Sequence, residues 1–238
     1  SSMPDWLAQM LHNLILTGQC TDITLELNDS LMTQVLDSGT VSTSSDFVLA
    51  GTCTTSFQTS GANRSNNIAV GASRLNNLIV MPGQTVSVSD TILPRTRANG
   101  YKEAGVYVNG AHTTGLGGGV CQISSTVYNA VKNAGLTVVQ RNPHSMPVSY
   151  LPKGLDAAIA AGSKDLKFRN DYTTPVVLYT DTSNKHLTVN VLVWNQELAG
   201  RSFKLWAKQT GALSADTYFT TYLNGKEIST QFVGTSRY

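Results

Sequence analysis

In GLGGGVCQISSTVYNA, residues 115–130, three consecutive glycines run into a valine, a cysteine and the start of a helical pattern. A thiol at a helix N-terminus sits among N–H groups that lack intrahelical acceptors, and the positive end of the helix dipole favours thiolate over thiol. Cys121 is therefore a candidate nucleophile. Gly117, Gly118 and Gly119 carry no side chains, so backbone here can approach a bound chain and turn N–H groups toward a developing oxyanion. Gln122, beside the thiol, offers a side-chain donor as well. A structural reading competes: free cysteine is among the most buried residue types, and a glycine-rich turn before a helix is ordinary loop geometry.

A thiol nucleophile works with an imidazole and a third group that orients the ring. Of the four histidines, His12 and His186 read as surface residues, and His112, near the glycine loop, is held in reserve. His144 is the first choice, because in RNPHSMPVSY it stands at a predicted strand entrance between Pro143 and Pro147, which restrict the local backbone. Asp156, in KGLDAAIA, begins the next predicted strand. Cysteine on a helix N-terminus, histidine on the next strand and aspartate on the one after is the order of parts in transglutaminase-like thiol enzymes, an analogy of arrangement. The competing roles are a hydrogen-bonded structural histidine for His144 and a turn or cap for Asp156.

The same region also supports a non-catalytic reading, in which Cys121 is structural. The glycine loop and a polar strip of Ser125, Asn129, Asn63, Arg95 and Arg141 would then cradle a glycan or peptide, although either arginine could instead cap a helix or pair with a carboxylate. Cys121, His144 and Asp156 form a conceivable metal ligand set, but no compact spacing such as HExxH supports it, so neither metal nor cofactor is expected.

These residues need a frame. Numbered at 100° per residue, Ile123, Val127, Ala130, Val131 and Ala134 form a core-facing stripe on the helix that starts near Cys121, with Cys121, Ser125, Tyr128 and Lys132 on another side. A second helix is predicted over 63–77, burying Ile68, Ala72 and Leu75. Strands are predicted at FVLAGTCTTSF, VSVSD, AGVYVNG, LTVVQR, PVSYL, DAAIAA, LKFRN, PVVLYTDT and HLTVNVLVW, and from residue 201 the pattern is purely β, with a hairpin at Asn224–Gly225. Residues 4–16 read as an amphipathic helix and 21–28 as a strand, with a Ser/Thr-rich boundary at 38–46. The expected fold is α+β: a mostly antiparallel sheet packed by two main helices, divided into an extension (1–43), a core domain (44–200) and a β-rich tail (201–238).

Composition narrows the partners. Charged residues make up 13% of the 238 and the net charge is +2 with basic residues scattered singly, so nucleic acid is not an expected partner. The apolar runs are too short for a membrane span. No charged n-region, apolar stretch and cleavage site opens the chain, so a signal or anchor is expected to have been removed or never to have existed. The three cysteines form no CxxC pair, which excludes a zinc ribbon and leaves at least one thiol unpaired.

The segments TTSFQTSGANRSNNI, PGQTVSVSD, RTRANGYKEAGVYVNG, GGGVCQISSTVYNA, RNPHSMPVSY and KGLDAAI occur in an order that resembles the VanW family. The resemblance covers about residues 46–180, and the block around Cys121 is its most specific part. It implies a protein outside the bacterial membrane, at the cell surface or wall, with peptidoglycan or its stem peptides as the partner. It also implies that residues 4–40 are a remnant of a peptidoglycan-binding region and that YLNGKEISTQFVGTSRY is a short β tail. Where relatives tend to have a β-branched or aromatic residue, this chain has Cys53, read as core filling. The resemblance supplies context, not a reaction. The candidate chemistry is Cys-dependent hydrolysis or transpeptidation of stem peptides, with a binding-only module as the alternative.

Overall fold

The computed structural model describes residues 47–108 and 110–238. The predicted helix over 4–16, the strand at 21–28, the boundary at 38–46, His12 and Cys20 lie outside them. The central sheet is antiparallel throughout, in the order β1 (Phe47–Ser56), β9 (His186–Trp194), β8 (Val176–Asp181), β2 (Leu78–Val80). Alternation along β9 turns Leu187, Val189, Val191 and Val193 into the core, where all four are buried.

Two helices supply the other half of that core. In α1 (Ala62–Leu75) the buried Ile68, Gly71, Ala72 and Leu75 follow the 3, 4, 7 spacing of one helical face. The short α2 (Val88–Ile92) follows, and then α3 (Val120–Asn133), whose stripe of Ile123, Val127, Ala130 and Val131 is fully buried. α3 lies against β1 so closely that a Cβ at Gly51 would stand 2.2 Å from Ala130 O and 2.5 Å from Ala134 N. Backbone on both sides leaves nothing that can yield by rotating. Gly51→Ala is therefore expected to push α3 off the sheet and cost about 1–3 kcal/mol, as overpacked cores do, read as a fall of several degrees in Tm.

Three smaller sheets flank this body. β7 (Lys167–Arg169) is central between β3 (Thr85–Ser87) and β6 (Thr137–Gln140), and β4 (Glu103–Val108) pairs with β5 (Ala111–Leu116) as a hairpin. The tail is a meander of β10 (Arg201–Gly211), β11 (Ser214–Leu223) and β12 (Lys226–Arg237). Its last turn uses Asn224 and Gly225, both at positive φ, as an Asn-Gly hairpin requires. Phe203, Leu205 and Phe219 pack this sheet against the main core. No helix among the described residues is long and apolar enough to cross a membrane.

The strands predicted at PVSYL and DAAIAA do not form. Between β6 and β7 the chain runs without a named strand, apart from one bridge between Ala160 and Lys164. Pro143, Pro147 and Pro152 remove ladder donors, and side chains of α3 take over the backbone groups of 155–159. The strand predicted over VSVSD stops at Ser87, whose side chain accepts a hydrogen bond from Asp90 N at 3.1 Å and so caps α2.

Candidate functional site

The glycine loop is shaped by its own neighbours. Gly119 holds φ 109°, which starts α3 from a left-handed residue, and a Cβ at Gly118 would meet Gly105 O at 2.6 Å. Buried Asn67 ties the loop down, donating to Gly118 O (2.9 Å) and Lys102 O (2.8 Å) and accepting from Lys102 N (2.8 Å). Gly117 and Gly118 are buried. Their lack of side chains serves a close approach to the β4–β5 hairpin rather than to a bound chain.

The polar side of α3 is a clamp. Ser124 Oγ donates to Ala157 O at 2.6 Å, Ser125 Oγ accepts from Ala157 N at 2.9 Å, and Asn129 Nδ2 donates to Leu155 O at 2.7 Å. A helix cannot pair with a strand through its backbone, because its own N–H and C=O groups are already used. Serine and asparagine side chains supply the missing partners, and the segment 155–159 is laid along the helix. Ile159 is thereby set beside Cys121, and Asp156 beside His144.

The sulfur of Cys121 meets Ile159 on both sides, accepting from its N–H (3.5 Å) and, as the neutral thiol, donating to its carbonyl (3.4 Å). His144 gives its backbone N–H (2.8 Å) and its ring Nδ1 (2.6 Å) to Asp156 Oδ2. That leaves Nε2, and the ring is close enough to Cys121 for each group to shift the other's ionisation. Asp156 is completely buried, and its other oxygen receives the hydroxyl of Tyr238 and, at 3.4 Å, Arg141 Nη2. Arg141 also donates to Asp156 O, and its Nη1 reaches Ser236 Oγ at 2.8 Å. Cysteine, histidine and aspartate are joined in line.

Charge follows this geometry. Burial works against ionising Cys121, but the hydrogen bond and charge of His144 outweigh it and hold the thiol below its ordinary value. Burial likewise works against the imidazolium, yet the hydrogen bond it donates to Asp156, together with the influence of Cys121, pushes His144 up to about 9. Asp156, against its own burial, is brought down to about 2 by its donors, His144 first. Both shifts run toward a thiolate–imidazolium pair backed by a carboxylate. Cys53 has no such neighbour, and burial raises it to about 11.

A groove of about 530 Å³ opens beside this row, lined by His144, Arg64, Tyr150, Gln122, Met146 and Tyr107 among others. Cys121 is half-buried and is not among the residues that line it. Among the described residues no group of three or more His, Cys, Asp or Glu is placed to hold a metal.

A family model described as VanW like protein matches residues 63–192, more than half of the chain. The chain belongs to the VanW family. It is 42% identical over 128 residues to the uncharacterized protein YoaR of Bacillus subtilis (strain 168), an alignment covering 54% of this chain and 42% of that one. It is 36% identical over 114 residues to the vancomycin B-type resistance protein VanW of Enterococcus faecalis (strain ATCC 700802 / V583), covering 46% and 42%. The chain thus spans about two fifths of the length of these relatives. No solved structure matches it significantly.

Within this VanW-family chain, Cys121, His144 and Asp156 converge, and several other residues named from sequence serve different ends. Gln122 is buried and its amide hydrogens go to Thr55 Oγ1 and Ser56 O, both at 3.0 Å, so it has no free donor for an oxyanion. Ser125 and Asn129 face the protein's own segment 155–157 rather than the groove. Asn63 binds Glu103 O at 2.8 Å, and Arg95 lies against Gly117, close enough to help lower the Cys121 thiol. Arg141 serves Asp156. His112 is exposed in β5, its ring 4.1 Å from that of Tyr107. Tyr238 and Ser236, which complete the surroundings of Asp156, lie beyond the family match, and no spacing in the sequence pointed to them.

Proposed function

We propose that this protein is an extracytoplasmic thiol acyl-transfer enzyme acting on the peptide stems of peptidoglycan. The observation that carries the reading is the line Cys121–His144–Asp156, with the imidazole between the thiol and a buried carboxylate. The cell-wall context comes from the family and from the Enterococcus relative's name, which ties that protein to vancomycin resistance.

In the first half-reaction the Cys121 thiolate attacks a stem amide carbon and an S–C bond forms. The oxygen takes the negative charge, with the Cys121 N–H, free of an intrahelical acceptor in the first turn of α3, as its nearest donor. His144 Nε2 passes its proton to the departing amine, the C–N bond breaks, and a thioester remains. Then water or an amine attacks the thioester and gives its proton to His144. The S–C bond breaks and the ion pair is restored. Water makes the reaction hydrolysis, and an amine makes it cross-linking. Asp156 keeps the ring in the tautomer and rotation that both steps use.

Purified sacculi incubated with the protein provide the test, with muropeptides read by mass spectrometry and iodoacetamide labelling of Cys121 followed against pH. The wild type is expected to change the muropeptide profile and Cys121→Ala to leave it untouched, while the thiol ionises below its unperturbed value of about 8.5. An unchanged profile, with Cys121→Ala still binding sacculi as the wild type does, would replace this reading with a binding module.

A further inference from the structure

Arg64 is a cation at the groove that the proposed reaction has not used. It projects from α1, half-buried, into the wall that also holds His144 and Tyr150. Its Nη1 makes both of its hydrogen bonds, to Ser60 Oγ (2.7 Å) and Gln122 Oε1 (2.8 Å), and both acceptors are neutral. The ion pairs among the described residues are Arg97–Glu103, Arg141–Asp156, His144–Asp156 and Arg169–Asp171, so no carboxylate there balances Arg64. Nη2 and Nε have no acceptor among the described residues.

Burial makes that charge costly, and Cys121 is near enough to feel it. A guanidinium kept in a groove wall with half of its planar fork unspent suits a bidentate carboxylate. A dianion fits less well, because His144, the other cation in that wall, is already paired with Asp156 and the thiolate stands close by.

Resting on the acyl-transfer reading, we infer that Arg64 forms a subsite for a carboxylate of the acyl donor, selecting donors whose negative group lies next to the bond that Cys121 attacks. Arg64 also steadies Gln122, so its loss would loosen the N-terminal turn of α3, and the test must separate charge recognition from that support.

Two alkylating reagents of like size do so, iodoacetate carrying the carboxylate and iodoacetamide lacking it. In each case S–C forms and iodide leaves. The ratio of their rates at Cys121 is expected to fall about fivefold or more in Arg64→Gln and to survive in Arg64→Lys, and the wild-type preference is expected to shrink with added salt. In the unaltered protein, N-acetylalanine is expected to protect Cys121 from iodoacetamide better than N-acetylalaninamide does, a measurement that needs no variant to fold. If both reagents react but the ratio is the same in wild type and Arg64→Gln, and the two blockers protect equally, the subsite is refuted and the acyl-transfer reading stands. If neither reagent reaches Cys121, the acyl-transfer reading itself falls.

Discussion

Replacing His144 by alanine is expected to slow alkylation of Cys121 at pH 7 by about 10- to 100-fold. Burial raises the thiol, and the two largest opposing effects both come from His144. Without the ring, the N–H of Ile159 and the more distant Arg95 remain to oppose burial. The thiol then returns to its ordinary range or above it, where about 3% or less is ionised at pH 7. Part of the loss is offset because a more basic thiolate attacks faster. Raising the pH ionises the thiol without help and is expected to narrow the gap between the variant's rate and that of the wild type. An unfolded variant would instead react fast at every pH. Equal rates for variant and wild type across pH 5–8 would mean that His144 does not activate Cys121.

The same pair fixes the pH range of the site. His144 has a folded pKa of about 9 against an ordinary 6.5, so its contribution to stability is complete below 6.5 and is lost as pH rises through 9. Asp156 is shifted the other way, to about 2 from 3.8, so its contribution is present above 3.8 and lost as pH falls through 2. Both are intact between about 4 and 6.5. Acylation needs the imidazolium proton for the leaving amine, so the rate is expected to decline above about 9 even though the thiol is then fully ionised.

The frame of this site was legible where sequence periodicity and burial coincide. The stripe Ile123, Val127, Ala130, Val131 points inward because apolar residues at 3, 4, 7 spacing have one place to go, and β9 alternates for the same reason. The row of Cys121, His144 and Asp156 was reachable because each is the type of residue that the proposed chemistry requires. Their supports were not. Ser125, Asn129 and Gln122 look like a polar surface in sequence, yet they are buried because segment 155–159, β1 and α1 close over them, contacts that join residues more than 25 positions apart. Tyr238 reaches Asp156 across 82 positions through the register of a separate sheet, which no local pattern encodes. The strands expected at PVSYL and DAAIAA failed for a related reason. Their alternation is real, but side chains of α3 bind the second segment where a neighbouring strand was assumed.

Asp156→Asn is expected to lower turnover by about 10³- to 10⁴-fold, the scale seen when the carboxylate that orients a catalytic imidazole loses its charge. It is also expected to destabilise the fold by about 3–5 kcal/mol, because it breaks a buried ion pair. Side-chain oxygens of Asp156 receive protons from His144 N, His144 Nδ1, Arg141 Nη2 and Tyr238 Oη, so every partner is a donor. An amide has one accepting end. Turned toward His144, it sets its NH₂ against the Arg141 guanidinium and the tyrosine. Turned the other way, it sets that NH₂ against two N–H groups of His144. Without the negative charge the imidazolium loses its main support, the proton returns to the sulfur, and nucleophile and acid are lost together. Thermal melts against pH separate this from a general loss of packing. The gap between wild type and variant is expected to be widest between pH 4 and 6.5 and to narrow toward pH 2 and above pH 9, as the wild-type ion pair itself titrates away. A gap that stays constant from pH 2 to 10 would mean that Asp156 contributes shape alone, and with it the charge-based account of Cys121 would fail.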